Sequence, residues 1–269
     1  MNRSALDRRT FLRIGTIIMG GAVGGTISSA AEAYVLRDKR VVYRHLEVIT
    51  EKYPRAQRYI PFVVEAVEKH RRVFYVDPVL FLGLIKRESN FGTNLISPVG
   101  AAGPVQFMPS TARGMGMRVY LPTPNYFDDA RRMGGKAYRA EQRALEYFQE
   151  AQWDEAIEQM KESIAYQEQA KALYDRYTTE LQAVTEGKSD PELRSIDERF
   201  VDRIAVDKGV AHFSYLLRQR GGDVREALCA YNAGLGAVKR AYGIPYIEET
   251  VVFQNRIVNF HKYWASRAR

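Results

Sequence analysis

The sequence predicts a mainly α-helical fold, on three observations. Apolar residues recur at a 3.6-residue period, as in Ile60, Val63, Val64 and Val67. Helix punctuation brackets such stretches: Asp77-Pro78 and Asp223 read as starts, Gly221-Gly222 as a stop. No parallel-sheet signature and no run of alternating strands occurs anywhere.

The chain has 269 residues, enough for one good-sized domain or two small ones. An apolar share of 46% is ordinary for a globular protein. The net charge of +8 suits an anionic polymer, whether cell wall, lipid headgroup or nucleic acid. Cys229 is the single cysteine, so no intramolecular disulfide can form. It lies in the apolar run Ala227-Leu-Cys-Ala230 and reads as a small core residue.

The elements follow in order. Arg8-Arg9 precedes an uncharged, glycine-rich stretch from Ile14 to Ala31. This resembles a twin-arginine export signal, with cleavage after Ala33. The alternative is a retained membrane anchor, since eighteen uncharged residues just suffice to span a bilayer. Either way the rest of the chain belongs outside the cytoplasm. Residues 34–76 read as two helices broken near Pro54, the stripe from Ile60 to Val67 packing on the helix that follows.

That helix starts at Asp77-Pro78, a carboxylate cap and then a proline whose missing N–H costs nothing. Phe91-Gly92 reads as its end, with glycine in the left-handed position. Phe81, Leu84 and Ile85 form one face, and Glu88 continues it. A carboxyl group in apolar surroundings stays protonated towards neutral pH, as a general acid must. Spacing alone fits equally well a helix-end glutamate in the charge run Lys86-Arg87-Glu88. The loop Ser97–Ala112 follows, loosened by Gly100 and Gly103 and stiffened by Pro104 and Pro109. It offers Gln106 and Met108 as the wall of a pocket.

From about Asp128 to Ser195 the chain is highly charged and helix-favouring. An apolar face runs through Ala144, Phe148, Ala151, Ala156, Ile157, Met160, Ile164, Ala170, Leu173, Tyr177, Leu181 and Val184. A helical hairpin fits this stretch, as a structural spur or a docking arm for a protein partner. No second copy of any motif supports a repeat array. Ile204, Val206, Val210, Phe213, Leu216 and Leu217 then make one face of a helix ending at Gly221-Gly222. Asp223 caps the next helix, Val224 to Tyr231.

Three stretches in this order carry a family resemblance: Glu88-Ser-Asn-Phe91, Gly100-Ala-Ala-Gly-Pro-Val-Gln-Phe-Met-Pro-Ser-Thr-Ala112 and Ala230-Tyr-Asn-Ala-Gly234. Together they resemble the motifs of the soluble lytic transglycosylases, goose-lysozyme-like enzymes that cut the glycan strands of peptidoglycan. The resemblance covers roughly residues 58–125 and 197–263. It implies a lysozyme-like helical transglycosylase domain over 58–127 and 197–265, a helical insert over 128–196 and an N-terminal helical segment over 34–57. The export signal, 1–33, precedes them.

The resemblance also implies the chemistry. One carboxylic acid, Glu88, would protonate the leaving oxygen and then deprotonate the muramyl 6-hydroxyl, closing a 1,6-anhydro ring. Tyr231 would hydrogen-bond Glu88, Asn232 would bind substrate or hold the loop, and Ser89, Gln106 and Met108 would line sugar subsites. Two departures stand out: Pro104-Val105 replaces Leu-Met, and Phe253 replaces a tyrosine after Glu249-Thr250.

Other chemistries find little support. His45, His70, His212 and His261 show no metal-ligand spacing, and no cofactor motif is present. Nucleic acid is an implausible partner for an exported chain, and membrane contact requires that the N-terminal segment be retained. The expected partner is the peptidoglycan glycan strand. The competing readings are a muramidase that uses water and a second carboxylate, and a non-catalytic wall-binding scaffold.

Overall fold

The computed structural model describes residues 39–267, so the export signal expected over 1–33 lies outside the described residues. Among the described residues there are eleven α-helices and no β-strand. In chain order they are α1 (Lys39–Lys52), α2 (Ile60–His70), α3 (Pro78–Ser89), α4 (Pro109–Gly114), α5 (Tyr126–Gln149) and α6 (Trp153–Thr185). There follow α7 (Asp190–Ile196), α8 (Asp202–Gln219), α9 (Val224–Ala233), α10 (Leu235–Arg240) and α11 (Glu248–Ala265). The chain forms two compact units. One holds the residues up to Leu95, 103–106 and 199 onward; the other holds 96–102 and 107–198.

The first unit is built around α3. Its start is fixed by Asp77, whose carboxylate accepts from the Val79 and Leu80 amides at 2.8 and 3.1 Å. Every residue from Pro78 to Ile85 is buried, so the helix is wrapped on all sides. Burying a side chain such as Phe81 or Leu82 contributes roughly 1.5–3 kcal/mol each. The end differs from expectation. Asn90 takes the left-handed conformation (φ 50°) and Phe91 also has positive φ (61°), while Gly92 does not. Asparagine tolerates that conformation through its short polar side chain. Gly92 is needed for space instead, because a Cβ would stand 2.9 Å from Leu95 and 3.1 Å from the Ser89 carbonyl.

The stripe of α2 does meet α3, as expected, but that is not its main partner. Val63, Ala66 and Val67 are buried, but α2 packs mainly on α8 and less on α3. Ion pairs flank that packing: Lys69 and His70 both contact Asp207 at 2.9 Å, and Arg203 contacts Glu65 at 2.6 Å. α8 buries Val206, Val210, Phe213, Leu216 and Leu217, and it ends with Gly221 and Gly222 at positive φ. Asp223 then caps α9 by accepting from the Glu226 amide at 2.9 Å.

The second unit is dominated by the antiparallel pair α5 and α6. Their seam is made of small residues seven apart, Ala130, Ala137 and Ala144 on α5 with Ala156, Ser163 and Ala170 on α6. The Ser163 hydroxyl donates to the Ala137 carbonyl across it at 2.9 Å. This corrects the apolar face read from sequence. Phe148, Ile157, Met160 and Ile164 are exposed, as is Ala151 in the turn between the helices. A heptad of small residues lets two helices approach closely, and the larger side chains one position away are rotated out.

At the base, Tyr177 of α6 is fully buried against Phe127, ring centroids 4.9 Å apart, and covers Gly100. The returning chain pairs with the stretch before α5. Glu198 donates its amide to the Arg118 carbonyl at 3.0 Å, and the Asp197 carboxylate accepts from the Tyr120 amide at 3.1 Å. Tyr120 in turn bonds Glu180; burial first, then that carboxylate, pushes the phenol up to about 12. The hairpin therefore packs on more than itself.

Candidate active site

The site is assembled within the first unit from the end of α3, the loop segment 103–106, α9 and the start of α11. Glu88 is half-buried near the C-terminal end of α3, and Ser89 beside it is buried, its hydroxyl donating to the Ile85 carbonyl at 3.1 Å. Backbone in unusual conformations gathers here. Asn90, Phe91 and Gln106 all have positive φ without being glycine. Such conformations persist only where surrounding structure holds them, and they concentrate at functional sites.

Gly103 explains how the loop is held. Its φ is +77°, and a Cβ there would overlap the Arg199 carbonyl. Only glycine lets the two backbones meet. The Gln106 side chain then locks the turn, its amide nitrogen donating to the carbonyls of Leu95 at 3.1 Å and Gly103 at 2.8 Å. Gln106 thus braces the loop through its nitrogen. Val105, in the position where the sequence departs from its relatives, is fully buried. Its side chain would stand 3.0 Å from a Cβ at Gly209, so that glycine makes room for it.

Val105 also offers its carbonyl to the Tyr231 hydroxyl at 3.0 Å. Burial, and then the nearby charge of Glu88, push the Tyr231 phenol well above its usual value. Tyr231 consequently stays a hydrogen-bond donor at any physiological pH, within electrostatic reach of Glu88. The His212 ring lies 5.5 Å from the Tyr231 ring, and burial lowers its imidazole to about 4. It is neutral at pH 7. Asn232 next along α9 accepts from the Thr250 hydroxyl at 2.7 Å, which ties α9 to α11. Phe253 is fully buried, with the Arg87 guanidinium 5.5 Å above its ring.

Of the residues singled out from sequence, Glu88, Ser89, Gln106, Tyr231 and Asn232 all lie in this first unit, while Met108 lies in the second. A cleft of about 750 Å³ opens beside Glu88 and Ser89, walled by Lys52, Tyr53, Arg256 and Trp264 among others. Sequence reasoning missed that wall, and it missed His212 behind Tyr231. The wall residues carried a readable signal in the spacing Phe260, Tyr263, Trp264 at the end of a helix. Among the described residues no cluster of three or more His, Cys, Asp or Glu side chains is placed to hold a metal ion.

The model of the transglycosylase SLT domain matches residues 65–132 and 180–253, a little over half of the 269 residues. The chain belongs to this family. Its members are lytic transglycosylases, lyases acting on peptidoglycan, with a lysozyme-like all-helical domain, and this chain is an enzyme of that class acting on that polymer. The match is interrupted over 133–179, within the α5–α6 hairpin. No solved structure matches the chain.

Proposed function

We propose that the protein cleaves the β-1,4 bond between N-acetylmuramic acid and N-acetylglucosamine, with Glu88 as the single acid and base. The observation that carries this reading is the place of Glu88, half-buried near the end of α3 and lining a cleft of about 750 Å³. After burial, its charge also raises the titration of the buried Tyr231 phenol.

In the first step the Glu88 carboxyl gives its proton to the glycosidic oxygen. The bond from that oxygen to C1 of the muramyl sugar breaks, and the glucosamine leaves with a 4-hydroxyl. In the second step the Glu88 carboxylate takes the proton of the muramyl 6-hydroxyl, whose oxygen attacks C1 and closes the 1,6-anhydro ring. No water is consumed, and Glu88 ends protonated as it began. The Tyr231 hydroxyl is held in place by the Val105 carbonyl, within reach of the charge on Glu88. Ser89 and Gln106 would line the sugar subsites with Asn232.

Glu88→Gln keeps the shape and removes the titrating proton. Cleavage of purified peptidoglycan should fall at least ~10²-fold, the low end for general acid–base catalysis. Near-normal activity would refute the assignment. Product ends decide the acceptor: anhydro ends support the 6-hydroxyl, whereas reducing ends would mean water and a muramidase. A substrate outside the cytoplasm also supports reading residues 1–33 as an export signal. Arg8→Lys with Arg9→Lys should then leave the protein inside the cell, and normal export would point to the general secretory route.

A further inference from the structure

We propose that the cleft beside Glu88 is a binding site for a carboxylate on the peptide side chain of the glycan strand. Four cations, Lys52, Lys86, Arg87 and Arg256, line it. Among the described residues Lys52, Lys86 and Arg256 make no ion pair with a carboxylate. Two instead lie over rings: the Lys52 ammonium is 5.9 Å from the Tyr53 centroid and 5.4 Å from that of Tyr263, and the Lys86 ammonium is 5.5 Å from that of Tyr53. An ammonium over a ring keeps its charge and its three donors available to an incoming anion. Ring faces next to cations suit a ligand with an apolar stretch and a negative end.

The rings form a braced wall. Tyr53 is 6.2 Å from Trp264 in an edge-on arrangement, and Tyr263 meets Trp264 edge-on at 5.0 Å. Trp264 is only 4% exposed. The surface is a concave slot with a rigid wall, rather than a belt of projecting aromatics that would enter a lipid headgroup layer. The sugar backbone of an acetylated glycan strand offers no free anion once its lactyl groups are joined to peptide. The carboxylates of the polymer are then those of the peptides. A strand seated with its scissile bond at Glu88 would bring such a peptide to this wall, and in that respect the proposal rests on the assignment of Glu88.

The wall comes from outside the stretches that match the family model. Lys52, Tyr53, Arg256, Tyr263 and Trp264 all lie outside residues 65–132 and 180–253 that match the family model. The slot therefore joins residues of the matched stretch, Lys86 and Glu88 among them, to α1 and the later part of α11 outside it.

The probe is the disaccharide GlcNAc–MurNAc bearing its peptide, which lacks the scissile MurNAc–GlcNAc link and so can be titrated against the full wild-type chain. Its controls are the same disaccharide with its lactyl carboxyl capped as a simple amide in place of the peptide, and the peptide-bearing form with the peptide carboxylates amidated. The peptide-bearing form should bind at least about tenfold more tightly than either control, as loss of one charge-assisted contact would give. Lys52→Gln with Arg256→Gln should abolish that preference, and Lys52→Arg with Arg256→Lys should keep it. Both positions are exposed, so folding should be unaffected. Equal binding of the three ligands, or an unchanged preference in the glutamine variant, would overturn the proposal. So would a variant whose only defect is weaker binding to vesicles of anionic phospholipid. Because binding is read without cleavage, active Glu88→Gln protein would refute the catalytic assignment and leave this result standing.

Discussion

The two units bury their helices by different means, and the difference separates what each tolerates. In the first, α3 is wrapped on all sides by large side chains, and loop 103–106 is clamped where Gly103 meets the Arg199 carbonyl. In the second, α5 and α6 meet along alanines and one serine, while Phe148, Trp153, Ile157 and Ile164 are about half exposed. A core filled with large side chains gains more from burial and loses more from error. A seam of small residues is thin, and it fixes how close two helices lie more than it adds stability. The functional side chains of the first unit stand on the more heavily packed of the two.

The largest expected effect breaks the clamp. Gly103→Ala places a methyl group into the Arg199 carbonyl at a positive φ, so backbone must move. The cost should exceed about 4 kcal/mol, in the exceptional tail for point substitutions. Thermal unfolding of the full chain would show it as a fall of at least ~8 °C, at roughly 2–4 °C per kcal/mol for a chain of this size. A change within about 2 °C, equivalent to no more than roughly 1 kcal/mol, would mean that the loop yields easily and the site is less rigid than its geometry implies.

Next in size is a substitution in the hairpin seam. Ser163 is fully buried and bonds the Ala137 carbonyl, so Ser163→Leu both overpacks the seam and strips an acceptor of its partner. Together these should cost about 2–4 kcal/mol. Hydrogen exchange distinguishes the units here. Protection should fall in α5 and α6 and stay unchanged in α3, α8 and α9. Equal loss throughout would show that the two units unfold as one.

This contrast also sorts what the sequence revealed from what it hid. Asp77, Asp223 and the stripe of α8 were legible because caps and a 3.6-residue period act locally. The resemblance placed Glu88, Gln106 and Tyr231 in order along the chain. That α2 packs more on α8 than on α3 was hidden because α8 lies far along the chain, 138 residues away in the Lys69–Asp207 bond, and leaves no local trace. The face of the hairpin was misread for a related reason. Alanine is a weak hydrophobic signal, so Ile157, Met160 and Ile164 outvoted the heptad of Ala156, Ser163 and Ala170. Val105 was read as a departure from the family pattern; its role as acceptor for Tyr231 depends on a backbone carbonyl, which residue type does not encode. The cleft wall was missed because Lys52 and Trp264 come from opposite ends of the chain.

A smaller effect concerns pH and the ring behind Tyr231. Burial lowers the His212 imidazole to about 4, whereas an unfolded chain holds it near 6.5. The unfolded state therefore takes up the proton first on acidification. The stability that depends on neutral His212 is fully present above pH 6.5 and is lost as pH falls towards 4. By about pH 5 the loss should reach roughly 2 kcal/mol. His212→Gln should flatten the fall between about pH 7 and 5 relative to wild type in denaturant titrations. Parallel curves for the two proteins would show that the imidazole is better solvated than its surroundings suggest.

The smallest effect tests the exposed side of the hairpin. Trp153, Ile157, Met160 and Ile164 follow one another at spacings of four, three and four on α6, and each is more than 40% exposed. They lie off the seam that joins α6 to α5, so they add little to the fold of the isolated chain. Ile157→Lys and Ile164→Lys remove apolar area that is already half in water. Each should change stability by no more than about 0.5 kcal/mol, as for surface substitutions generally. A lysine at either place extends its charged end into solvent without crossing the seam. The unfolding midpoint of the double variant and its cleavage of purified peptidoglycan should both match wild type. A fall of more than about 1 kcal/mol would mean that these side chains are covered in solution, because only burial gives an isoleucine that much weight.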